Sequence, residues 1–127
     1  MNNMIFIVDI PIYRCSIVFL ASATKEEWVA FCNKHKKEIT DRDRLNVSDG
    51  IDEGIPGFVC NTEGNDYVCY ISDKNKIGLS VHELFHAAQS ILWDKGYKMD
   101  KTAEPLAYLL EYITNEFYMV VNNEEEK

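Results

Sequence analysis

The sequence predicts an α+β domain in which a small mixed or antiparallel sheet packs on three helices. Three observations lead there. Residues 4–8 and 13–20 are rich in Ile, Val, Phe and Tyr and flank Asp9-Ile10-Pro11; residues 57–62 and 66–72 repeat that pattern around Gly64-Asn65; and from residue 76 onward the apolar spacing changes to that of a helix. At 127 residues the chain has the length of one domain with one core. Residues 1–121 read as that domain and residues 122–127 as an acidic, disordered tail containing Glu124-Glu125-Glu126.

The first two runs predict a hairpin opening the fold. Thr24-Lys25-Glu26-Glu27 supplies a capping box, and Trp28, Phe31, Cys32 and His35 follow at helical spacing, so a first helix runs from residue 24 to about 38. His35 sits in the basic cluster at its end, a structural or solvent position. Residues 40–56 are charged, contain Gly50 and Gly54, and read as a long loop. Asp41-Arg42-Asp43 lacks the later ligands and glycine of an EF-hand, and Asn46-Val47-Ser48 matters for glycosylation only in a secreted chain.

The second pair of runs predicts another hairpin. A two-residue Gly64-Asn65 turn would set Cys60 opposite Cys69 in a non-hydrogen-bonded pair, at the lower limit of spacing for a disulfide. With no C-x-x-C pair among Cys15, Cys32, Cys60 and Cys69, the thiols read as free and reduced. Val81, Leu84, Phe85, Ala88, Ile91 and Leu92 then line one face of a helix over about residues 76–95, which Gly96 stops. A final helix begins near residues 102–105, where proline is tolerated, and carries the stripe Leu106, Leu109, Leu110, Ile113, Phe117 and Val120.

Hydrophobic residues at 46% and charged residues at 27% are ordinary for a globular chain. The formal net charge of -8 repels nucleic-acid phosphates and anionic membranes, so neither is an expected partner. Asp9, Pro11 and Arg14 interrupt the N-terminal apolar segment, and the run before Ala21-Ser22-Ala23 is too short for a signal core or a bilayer span. A cytoplasmic protein is expected.

Chemistry concentrates in His82-Glu83-Leu84-Phe85-His86, an H-E-x-x-H pentapeptide inside a stretch whose apolar positions independently predict a helix. Residues four apart stand on one helical face, so His82 and His86 can direct their imidazoles at one zinc ion. Glu83 projects about a quarter-turn away and can serve as general base for a hydrolytic water. A competing reading takes Ser80-Val81-His82-Glu83 as a capping box, which makes Glu83 a helix cap; a helix starting near Asn75 removes that conflict.

With these residues the sequence resembles the zincin metallopeptidases over about residues 66–118. The resemblance implies a zinc-dependent peptidase acting on a peptide or protein, with H-E-x-x-H on the active-site helix. In the gluzincin branch a glutamate on a following helix is the third ligand, and Glu104 in Ala103-Glu104-Pro105-Leu106-Ala107-Tyr108 matches that place. The chain is also similar to small zincin-like proteins of bacteriophages and prophages, where Tyr-Leu motifs such as Tyr108-Leu109 follow the acidic residue. Metzincins need a third histidine, and none follows His86.

A carboxylate at a helix start also answers the macrodipole alone, so Glu111 and then Asp100 stand as alternative ligands to Glu104. Tyr108 or Tyr112 would offer a phenol to a developing oxyanion, against a packing role for both. The resemblance implies that the strand before the active helix, residues 66–72, presents its edge to an extended substrate. A zincin-like binding or regulatory protein that turns over nothing is the alternative to the peptidase.

Overall fold

The computed structural model describes residues 3–98 and 103–126, with side chains through residue 123. Strands β1 (Met4–Ile10) and β2 (Cys15–Ala21) are followed by helices α1 (Lys25–Lys34) and α2 (Asp41–Asp52), then strands β3 (Gly57–Asn61) and β4 (Tyr67–Ile71), then helices α3 (Ile77–Asp94) and α4 (Ala103–Glu126). The strands form one mixed sheet in the order β1-β2-β4-β3. β1 and β2 are antiparallel, joined through a 3-10 turn at Pro11–Tyr13 and left-handed Arg14. β2 and β4 are parallel, and β3 and β4 antiparallel.

Parallel pairing requires a crossover, and the segment between β2 and β4 supplies one that contains α1, α2 and β3. Side chains then alternate between two cores. Ile17, Phe19, Ala21, Tyr67, Cys69 and Ile71 face α3 and α4, where they meet Leu84, Ala88, Ile91, Leu109, Ile113 and Phe117. Val18, Leu20, Val68 and Tyr70 face the other way, against Trp28, Cys32, Ile39 and Val47. The two central strands are covered on both faces, which is why they read as continuous apolar runs and not as alternating ones.

The α+β class holds, but among the described residues four helices, not three, pack on the sheet. Residues 40–56, expected as a loop, contain α2. Its N-terminus is a complete capping box: Thr40 Oγ1 accepts from the Asp43 N–H at 3.2 Å, and Asp43 accepts from the Thr40 N–H. The helix buries only Asp43, Val47 and Ser48, so a largely polar sequence concealed it. Gly50 is a close-packing point, since a Cβ there would lie 2.7 Å from the Phe58 ring.

The second hairpin is also closed differently. Thr62 N–H donates to Asp66 O at 2.8 Å, leaving a three-residue loop that ends on left-handed Asn65, φ 67°. The register therefore pairs Cys60 with Val68 and Cys69 with Val59. Shifting by one residue turns a side chain to the opposite face, and the two thiols lie in different cores. All four cysteines are free.

Strand β4 is interior, flanked by β2 and β3. The edge expected at residues 66–72 is instead the free edge of β3. α1 ends at Lys34, with His35 as its cap stacked on Phe31 at 4.2 Å. α4 continues through Glu126, so the stretch expected as a disordered tail is helical to that point. No helix among the described residues is long and apolar enough to cross a membrane.

Phe117 is fully buried between Phe19 and Phe6, with ring centroids at 5.0 and 5.8 Å. Phe117→Ala should lower stability by about 3–5 kcal/mol, read as a reduced urea midpoint with an unchanged slope.

Candidate metal centre

Helix α3 is set at both ends before it carries any chemistry. β2 runs into left-handed Ser22, whose N–H donates to Ile71 O at 2.8 Å and whose Oγ accepts from the Lys74 N–H at 2.9 Å. This ties the end of β2 to the connection preceding α3. At the other end, Gly96 adopts φ 86° and its N–H donates to Trp93 O, while Tyr97 N–H donates to Leu92 O, both at 3.1 Å. These paired bonds form a Schellman motif, the stop expected at that glycine. Asp94 Oδ2 also accepts from Asn61 Nδ2 at 2.6 Å and from Tyr67 Oη at 2.5 Å, fastening the last turn to β3 and β4.

Because α3 begins at Ile77, Ser80 is already inside it and its N–H donates to Lys76 O. Ser80 is therefore not an N-cap, and the capping-box reading of Glu83 fails. His82 and His86 stand on the exposed side with their Nε2 atoms 3.1 Å apart and their rings inclined at 78°. Glu83 packs its side chain against Gly57 of β3. It is 4% exposed, and its Oε2 lies 4.0 Å from His82 Nε2.

Gly57, the first residue of β3, makes room for that carboxylate. A Cβ at this position would meet Glu83 Cγ and Oε2 at 2.7 Å. Across the opening, Pro56, Gly57, Gly78, Leu79, His82 and Glu83 enclose a cleft of about 390 Å³. The role of Gly57 leaves no local pattern in the sequence, because the contact joins residues far apart in the chain.

The donor set fits zinc as far as two ligands go. Imidazole nitrogens bind zinc at about 2.0–2.1 Å, so nitrogens 3.1 Å apart subtend an angle of about 100° at one ion, near the tetrahedral value. In the metal-free state the same separation is a hydrogen bond when one ring carries its proton on Nε2.

The other candidates lie elsewhere. Glu104 and Tyr108 line a separate groove with Tyr13, Tyr97 and Tyr112. Tyr112 Oη donates to Asp9 O at 3.0 Å. Glu111 is exposed on α4, and Asp100 is outside the described residues. Among the described residues, no three His, Cys, Asp or Glu side chains converge as a metal-binding group. The structure thus brings together His82, Glu83 and His86 but does not bring Glu104 or Tyr108 to them.

Burial pushes the Cys60 thiol up to about 11 and raises Cys15, Cys32 and Cys69 as well, so these are poor thiolate nucleophiles at neutral pH. Comparison of the chain with protein-family models, with curated proteins and with solved structures gives no match.

Burial also raises the Glu83 carboxyl above its ordinary 4.5, opposed by His82 and His86. An acid whose pKa rises on folding holds its proton more tightly in the native state. The stability gained is full below the unfolded value and is lost as pH rises through the native one. In chelator-treated protein this residue should therefore make stability decline from about pH 4.5 upward, and Glu83→Gln should remove that part of the slope. Urea midpoints measured over about pH 4–7 check the sign.

Proposed function

We propose that this chain is a zinc-dependent peptidase of the zincin type, with His82 and His86 as metal ligands and Glu83 as general base. The observation that carries the reading is the 3.1 Å imidazole pair on a helix fastened at both ends, beside a carboxylate buried against Gly57. Bound zinc would supply a Lewis acid for the scissile carbonyl and bring the pKa of water toward neutrality.

The chain's own residues supply the rest. Glu83 accepts a proton from the attacking water and returns it to the leaving amine; its raised pKa suits both transfers better than an ordinary carboxylate would. The free edge of β3, which begins at Gly57 beside Glu83, supports an extended peptide held by backbone hydrogen bonds. The assignment of Glu104 as third ligand rests on the gluzincin resemblance, with Glu111 as its competitor. Four free cysteines support a reducing, cytoplasmic setting.

A second reading, a zincin-like binding or regulatory protein that holds metal without turnover, is favoured by the location of Glu104 in another groove. Zinc analysis and peptide hydrolysis separate the two. The parent should bind one zinc per chain, and His86→Ala should lose it. Glu83→Gln should keep the zinc while hydrolysis falls by about 10²–10⁴-fold. Zinc without hydrolysis of any peptide in a broad library supports the second reading, whereas zinc retained by His86→Ala removes both. Loss of zinc in Glu104→Gln but not Glu111→Gln identifies the third ligand.

A further inference from the structure

The groove that contains Glu104 has a composition unlike the cleft at Glu83. Glu104, Tyr108 and Tyr112 fall at intervals of four residues, so α4 presents one carboxylate and two phenol rings along a single face. The opposing wall comes from the turn between β1 and β2, which contributes Tyr13, and from the residue after the Schellman glycine, Tyr97. Together they border an opening of about 750 Å³. That is within the range of small-molecule sites.

Three of the four rings are held by their hydroxyls. Tyr13 and Tyr97 meet edge to face at 86° with centroids 6.1 Å apart, and their hydroxyl oxygens are 3.3 Å from each other. Tyr112 donates to the Asp9 carbonyl across the gap between α4 and β1. Tyr108 is not buried by these contacts; it remains 68% exposed. Packing within the domain accounts for the hydroxyl bonds and covers more than half of Tyr97 and Tyr112, but leaves most of Tyr108 facing solvent.

Charge decides what would fit. Among the described lining residues Glu104 is the only charged group, and the whole chain carries -8. An apolar ligand would cover the carboxylate and cost it hydration without compensation. A cation instead is attracted both by a carboxylate and by the negative face of an aromatic ring, the two kinds of group that line this groove. We infer that this groove binds a small organic ammonium ion, with Tyr13, Tyr97, Tyr108 and Tyr112 as an aromatic enclosure and Glu104 as the counter-charge.

This inference goes beyond the peptidase reading and does not depend on zinc. Glu104 is claimed by both, so the measurements must separate them. Choline is the probe, titrated at low ionic strength into the full chain while tyrosine ring resonances are followed by NMR. The control is 3,3-dimethylbutan-1-ol, which has the same shape and no charge.

Saturable choline binding should be at least about tenfold tighter than that of the alcohol. Tyr108→Leu, an exposed position that should not disturb folding, should weaken choline binding by about three- to tenfold with zinc content unchanged. Glu104→Gln should weaken it too. His86→Ala should bind choline as the parent does, whatever happens to its zinc, so loss of the metal site leaves this result standing. Equal affinity for choline and the alcohol, or choline binding unaltered in both Tyr108→Leu and Glu104→Gln, would overturn the inference.

Discussion

The parallel pairing of β2 with β4 is the constraint on which the rest depends. Hydrogen bonds to β2 on one side and β3 on the other leave β4 no free edge, and its five residues are all buried. A strand in that position must be covered on both faces, so helices are required above and below the sheet. α3 and α4 cover one face and α1 and α2 the other. The crossover between the parallel strands also delivers β3 to the edge next to α3. Gly57 and Glu83 meet for that reason, although they lie on separate elements.

The rigidity of the candidate site follows from how α3 is attached. A single hydrophobic face would allow the helix to slide along the sheet. The Ser22 bond to the preceding connection and the Asp94 bonds to Asn61 and Tyr67 remove that freedom at either end. His82, Glu83 and His86 lie between these attachments, where displacement costs hydrogen bonds at both ends. The tyrosine groove is built differently, from the first turns of α4 and two connections, and its walls are joined by the Tyr112 hydroxyl bond to Asp9 O across the gap.

Much of this was legible in the sequence because the information was local. The helical spacing of Leu84, Ala88 and Ile91 sets His82 and His86 on one exposed side, and Gly96 marks the stop by its left-handed conformation. Thr24 and Glu27 announce α1 through a reciprocal cap. Thr40 and Asp43 announce α2 in the same way, but its few apolar residues hid the helix behind them. Features made by distant residues were not legible. The clearance at Gly57, the interior place of β4 and the groove around Glu104 arise only when elements meet, and the chain order says little about which edges and faces will do so.

The three-residue loop ending at Asn65 has an effect reaching beyond the hairpin. By setting Cys60 against Val68 it puts the bulk of the sheet between two sulfur atoms that lie nine residues apart in sequence. Neither can reach the other while the strands remain paired. Oxidation can join them only in a chain whose β3–β4 register has come undone, so a 60–69 crosslink would be a chemical record of past unfolding.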